Sequence, residues 1–195
     1  MTKGMLLVMM DPPAALEEEL NAWYDTEHLP ERLAVPGIET AIRYVCDSGG
    51  PKYLALYDLS SPDILESAPY LAVSGDNFSP WTRRVTATAR VHRGACVTLH
   101  PSDPSPLLPD SHLQIIRFRD ASEKQLPDVL KALDTANTDG QSPAQSRLLS
   151  YQLNGIDYLF LLREFHSAAQ SPSKIDVFGE AASKIDLCAN YRPYA

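Results

Sequence analysis

The sequence predicts an α+β protein built from two β-α-β-β-α-β units in tandem, and three observations carry that reading. A Pro- and Ser-rich stretch, HPSDPSPLLPDS at 100–111, divides the 195 residues near their middle. On each side of it, short apolar runs and stretches of helical spacing follow one another in the same order. The composition, 44% hydrophobic and 22% charged, is ordinary for a globular chain that buries its own core. The expected organisation is a first unit at 1–100, a linker at 101–111 and a second unit at 112–195.

In the first unit, residues 3–10 form an apolar strand, and Pro12 and Pro13 lead into a helix from Ala14. After the Pro36-Gly37 turn, residues 38–46 are a strand. The turn at 48–51 (SGGP) then makes a hairpin with a strand at 52–59. Helical sequence resumes at Pro62. Its last part opens with Ser79-Pro80, a Ser cap followed by Pro at the first helical position. Residues 90–99 are the fourth strand. In the second unit, strands are expected at 113–119, 147–153, 157–165 and 185–191, and helices at 122–136 and 172–183. Asn154-Gly155 marks a tight hairpin. Two such units suggest two ferredoxin-like sheets, each with helices on one face. Packing the bare sheet faces against each other closes a barrel within one chain. The halves share little sequence, so the repeat is one of structure.

The formal net charge of −8 opposes phosphate backbones and anionic membrane surfaces, so neither nucleic acid nor membrane is an expected partner. Three cysteines, far apart and in no C-x-x-C spacing, read as free thiols in a reducing compartment. The apolar N-terminus is too short to span a bilayer and reads as a strand rather than a leader, which points to the cytoplasm. No nucleophilic-Ser motif, Gly-rich phosphate loop or metal-ligand cluster stands out, so no metal is expected.

Chemistry concentrates in NAWYDTEHLPERLAVPG, residues 21–37. At 100° per residue, Leu16, Leu20, Trp23 and Glu27 lie along one helix stripe, and Tyr24 and His28 flank it at i, i+4. Pro30 and the Pro36-Gly37 turn are expected to end the helix there. Each residue has a plainer alternative: Glu27 frayed into water, His28 binding free carbonyls at the helix end, Trp23 and Tyr24 as core. On the strand at 38–46, Ile38, Thr40, Ile42 and Tyr44 share the face expected to meet the helices. Arg43 then looks into the barrel, as do Tyr53 and Tyr57 from the next strand. The alternative is an outward Arg43 with half-exposed tyrosines.

The runs NAWYDTEHLPERLAVPGIETAIRYV, PKYLALYDLSSPDILES and SPWTRRV, in that order, resemble the EthD-like proteins of the dimeric α+β barrel superfamily. The resemblance covers about residues 3–93; the second half lacks the Trp-Tyr pair and the His. It implies a dimeric-type α+β barrel closed within the chain, a cavity between sheet and helix, and a helix-terminal His that falls on His28. The expected function is cofactor-independent acid–base chemistry of lyase, isomerase or cyclase type. Its substrate would be a small organic acid, lactone or aromatic compound in a barrel pocket. His28 and Glu27 are the catalytic candidates. Trp23, Tyr24, Arg43, Tyr53, Tyr57 and Trp81 are the substrate-binding ones. The alternatives are a non-catalytic binder of small molecules, a haem protein with a lone axial His, and a cofactor-free oxygenase. A homodimer of the two-unit chain is an open expectation.

Overall fold

The computed structural model describes residues 2–122, 124–133, 140–168 and 175–194. Its eight strands are β1 (Gly4–Asp11), β2 (Ile38–Ser48), β3 (Tyr53–Leu59), β4 (Arg90–His100), β5 (His112–Arg119), β6 (Gln145–Leu153), β7 (Ile156–Phe165) and β8 (Ile185–Pro193). They close into one antiparallel barrel in the order β1-β3-β2-β8-β5-β7-β6-β4. The two half-sheets meet along their edges as well as across the interior: β2 is hydrogen-bonded to β8, and β4 to β6. Helices lie outside the barrel. In the first half these are α1 (Glu17–Trp23), α2 (Leu29–Leu33), α3 (Ala68–Leu71) and α4 (Pro80–Thr88). In the second half they are α5 (Leu126–Lys131) and a 3-10 segment, Ile175–Lys184. Residues 123, 134–136 and 172–174 of the two helices expected there lie outside the described residues.

Turn chemistry sets the strand pairing. The β2–β3 hairpin turns at Gly49, whose φ of +82° suits glycine, and a Cβ there would stand 2.2 Å from the Cys188 carbonyl oxygen. The β6–β7 hairpin turns on Asn154 and Gly155, with φ of 52° and 76°, the left-handed pair of a type I′ turn. The Ser79 hydroxyl accepts the Thr82 N–H at 2.9 Å and caps α4, with Pro80 in its first turn.

The barrel interior is filled with side chains, among them Met5, Leu7 and Met9 of β1, Ile42 and Tyr44 of β2, Leu54 and Leu56 of β3, and Phe160 and Leu162 of β7. This reverses the expected facing of β2 and β3. Tyr53, Ala55 and Tyr57 pack on the helix side with Trp23 and Tyr24. Arg43, expected in the interior, is bonded to Asp25 and Asn21 of the helical layer. Two physical features explain the inversion. A register shift between Ile38 and Thr40 puts Ile38 on the helix side and Ile42 in the interior. Every residue of β3 is buried, so its alternation carries no sign of which face is which.

The stretch 101–111 crosses one mouth of the barrel. Asp58 accepts the Leu107 N–H at 2.9 Å and an Arg147 N–H at 2.5 Å. Glu164 accepts the Leu108 N–H at 2.8 Å and the Ser111 hydroxyl at 3.1 Å. At the other end of the barrel, His92 bonds the Tyr151 hydroxyl at 2.7 Å beside the Arg117–Asp186 ion pair. Between these two ends the interior is packed with side chains.

Candidate functional site

A cavity of about 250 Å³ lies between the outer face of the barrel and the helices of the first half. Leu6, Val8 and Met10 of β1 form its floor, and Trp23, Tyr24, His28 and Arg32 its helical wall. Tyr70 and Phe78 cover it, and Val91 and Arg93 of β4 stand on the barrel side. Leu6 and Met10 alternate outward from the interior residues of β1, so strand period 2 alone supplies an apolar floor.

The wall is built by an irregularity. The helix does not end at His28; α1 and α2 are joined by a π turn over Tyr24–His28, in which the Leu29 N–H reaches the Tyr24 carbonyl. Pro30 has no N–H to give and its ring crowds the carbonyl four residues back, so the chain widens ahead of it instead of stopping. In an α-helix, residues five apart point in different directions. In the wider turn they come together. The Trp23 and His28 rings are stacked, with centroids 4.2 Å apart and planes at 29°. Tyr24 meets the same imidazole edge-on at 5.3 Å. Arg32 follows His28 by four residues on the next helical turn.

The polar groups of this wall are sparsely satisfied. His28 Nδ1 is enclosed and has no hydrogen-bond partner. Burial, with the positive charges of Arg32 and Arg43, pushes its pKa down to about 3, so the imidazole is neutral at neutral pH. The Tyr24 hydroxyl points at Met10 Sδ, 3.4 Å away, and burial pushes its pKa up to about 12. The Arg32 side chain is 2% exposed. One of its terminal nitrogens donates to the Val73 carbonyl at 2.6 Å, while Nη1 has no partner. Tyr70 and Phe78 lie 5.1 and 6.0 Å from its guanidinium carbon. Arg93 donates to the Tyr70 hydroxyl at 3.2 Å. No carboxylate lines the cavity, so a chain of net charge −8 holds a locally positive pocket.

Of the residues singled out from sequence, Trp23, Tyr24 and His28 come together here. Tyr57 is buried in the same cluster but does not line the cavity. Glu27 turns away: its carboxylate accepts from Ser79 at 2.5 Å and from Thr82 at 3.0 Å, and so fastens the π turn to the start of α4. The Trp23 indole N–H joins the same knot through Thr82 at 3.0 Å. Arg43 lies on the far side of Tyr24, 4.3 Å from its ring centroid, between Asp25 and Asn21. Tyr53 binds Glu17 at 2.5 Å, and Trp81 binds Glu19 at 3.2 Å on the surface of the helical layer. Arg32, Arg93, Tyr70 and Phe78 were not foreseen. Only Arg32 left a trace in the sequence, its spacing of four from His28.

No family model and no curated protein sequence matches the chain. Solved structures do. An "anthrone oxidase-like protein" superposes with a TM-score of 0.54 at 12% identity, over 100% of this chain and 92% of that one. A "putative monooxygenase" from Lactobacillus acidophilus gives 0.53 at 11% identity, over 100% and 94%. A "putative chlorite dismutase" gives 0.53 at 10% identity, over 100% and 96%. The chain shares their fold, an eight-stranded antiparallel α+β barrel. At such identities the likeness extends to the fold and no further.

Proposed function

We propose that this protein is an EthD-like enzyme, made of two tandem ferredoxin-like units, that carries out acid–base chemistry on a small, largely apolar molecule without a cofactor. The reaction belongs in the helix–sheet cavity of the first unit, and the second unit completes the barrel. The observation that carries the reading is the enclosed, unpartnered His28 Nδ1 at an apolar cavity of about 250 Å³. A ring nitrogen of His28 takes a proton from a carbon beside a carbonyl. The C–H electron pair moves onto the carbonyl oxygen as an enolate, and the proton returns at a second carbon in an isomerisation. Tyr24 and Arg32 are the donors at hand for the enolate oxygen. His28 by itself is a weak base, because burial and two arginines disfavour its charged form. Negative charge building up on the substrate beside it offsets both effects. Glu27, bonded to Ser79 and Thr82, is a positioning residue for the π turn rather than a second acid–base group.

The low basicity of His28 also supports a second reading, a binding protein without turnover. The oxidase and monooxygenase names among the structural neighbours fit a third, in which the same enolate passes electrons to dioxygen. A cavity below the roughly 300–1,000 Å³ of drug-sized sites suits one or two rings better than a haem macrocycle. Three free cysteines are in keeping with a cytoplasmic setting. The test is solvent exchange. A set of enolisable aryl ketones, lactones and arylacetic acids is incubated with the protein in D₂O and followed by NMR. Deuterium uptake that His28→Ala slows about 10²-fold or more supports the enzyme. Tight binding with no exchange in any compound assigns the protein to the second reading.

A further inference from the structure

Among the described residues, Arg32 is the buried charge that the fold matches least. Burying a guanidinium is costly unless its donors and its charge are matched. Arg147, the comparable case at the barrel mouth, has one enclosed nitrogen without a partner, but it faces Asp58 at 2.5 Å and Glu164 at 3.9 Å. Among the described residues, Arg32 has Glu31, 3.8 Å away and beyond hydrogen-bond distance, the one bond to the Val73 carbonyl, and the ring faces of Tyr70 and Phe78, none of which matches its charge with a hydrogen-bonded carboxylate. Its unpartnered Nη1 belongs to a side chain that lines the cavity. Arg93 adds a second positive charge to the lining, and the hydroxyl of Thr86 is already committed to the Thr82 carbonyl at 2.7 Å. Among the described lining residues, the enclosed polar atoms left without a partner are thus a cationic donor on Arg32 and a neutral imidazole nitrogen on His28, one helical turn apart.

We propose that the ligand of this cavity is a small aromatic carboxylate, anchored by Arg32 with His28 beside it. This inference rests on the cavity's being a small-molecule site and narrows what that site accepts. One carboxylate oxygen takes the free Arg32 N–H. The other takes the His28 N–H in the tautomer that carries the proton on Nδ1. The ring lies on Leu6, Val8 and Met10, with Trp23 at its side. Such a ligand supplies the negative charge that Arg32 lacks. It also weakens the field holding His28 neutral, so binding takes up protons as the pH falls below neutral.

The experiment compares charged and neutral isosteres on the intact protein. Benzoate and 1-naphthoate are titrated against benzamide and 1-naphthamide by calorimetry at pH 7. The carboxylates are expected to bind at least about tenfold more tightly than their amides, the scale of one charge-assisted bond. Arg32→Met should abolish that preference, and Arg32→Lys should restore part of it. Repeating the benzoate titration at pH 5.5 in buffers of different ionisation enthalpy should reveal proton uptake. Equal affinity for acids and amides overturns the anion anchor and leaves the small-molecule site standing. Failure of all four to bind overturns both. A preference that survives in Arg32→Met moves the anchor away from Arg32. The comparison within the native protein holds even where a variant fails to fold.

Discussion

Arg32 in the first half of the barrel and Arg163 in the second are both buried beneath the outer layer, and the two side chains are treated differently. Arg163 of β7, 1% exposed, donates to the Leu133 carbonyl at 3.0 Å, to the Ala132 carbonyl, and to Gln114 at 3.4 Å. Val129, Leu133 and Phe178 fill the space around it against Ile116, Phe118 and Leu161. Arg32 of α2 is as deeply buried, yet its Nη1 has no partner and its side chain lines a cavity. One guanidinium completes a structure by ending carbonyls left open at the end of a helix. The other has a nitrogen that the fold does not pair. A buried charge is thus no sign of a site; a buried charge that the fold itself leaves unmatched is.

The comparison is broken most severely by separating the halves. Residues 1–100 alone expose the edges of β2 and β4, which pair with β8 and β6, and uncover the apolar interior face. Expressed by itself, this half should aggregate or pair with itself. Size-exclusion chromatography showing a cooperatively folding monomer would sink the closed-barrel account. The next effect is graded among the arginines. Arg147→Met leaves Asp58 and Glu164 buried without their cation and should cost about 3–5 kcal/mol. Arg163→Met leaves the carbonyls of α5's end open and should cost about 2–4 kcal/mol. Arg32→Met should shift stability by no more than about 1 kcal/mol, because it removes a poorly matched charge. Urea unfolding of the three variants, with unchanged m-values, gives the order directly.

Much of the framework was legible because it rests on local chemistry. Apolar runs, the turns at 48–51 and Asn154-Gly155, and the Ser79-Pro80 cap each specify their own geometry. The site was less legible. The register shift at Ile38/Thr40 and the two-sided burial of β3 hid which face Arg43, Tyr53 and Tyr57 take. Pro30 was read as a stop, since a missing N–H usually ends a helix, whereas here the chain passes it through a π turn. That turn stacks His28 on Trp23, a pairing that α-helical spacing does not produce. Arg93 and Tyr70 reach the cavity from distant segments, and nothing in their own surroundings in sequence marks them.

His28 sharpens the contrast through pH. Its folded-state pKa of about 3 lies below the ordinary value of 6.5, so between those limits the unfolded chain binds more protons. The stability that comes with a neutral His28 is complete above pH 6.5 and declines as the pH falls toward 3. At pH 5 the native protein should have lost about 1–2 kcal/mol from this group. His28→Gln should escape that loss and gain on the native protein between pH 7 and pH 5. Parallel pH curves for the two would place the imidazole in water, outside the cavity.

The smallest expected effect separates the two acid–base candidates of the opening stretch. Glu27 holds Ser79 and Thr82 at the first turn of α4, where a negative charge also favours the helix dipole. Glu27→Gln keeps the one oxygen that accepts from both donors and gives up the charge, so it should cost only about 1 kcal/mol in unfolding experiments. Because the carboxylate faces α4 and not His28, isotope exchange and ligand affinity should stay within about threefold of the native protein. A loss in exchange near 10²-fold at undiminished stability would instead place Glu27 in the proton-transfer step.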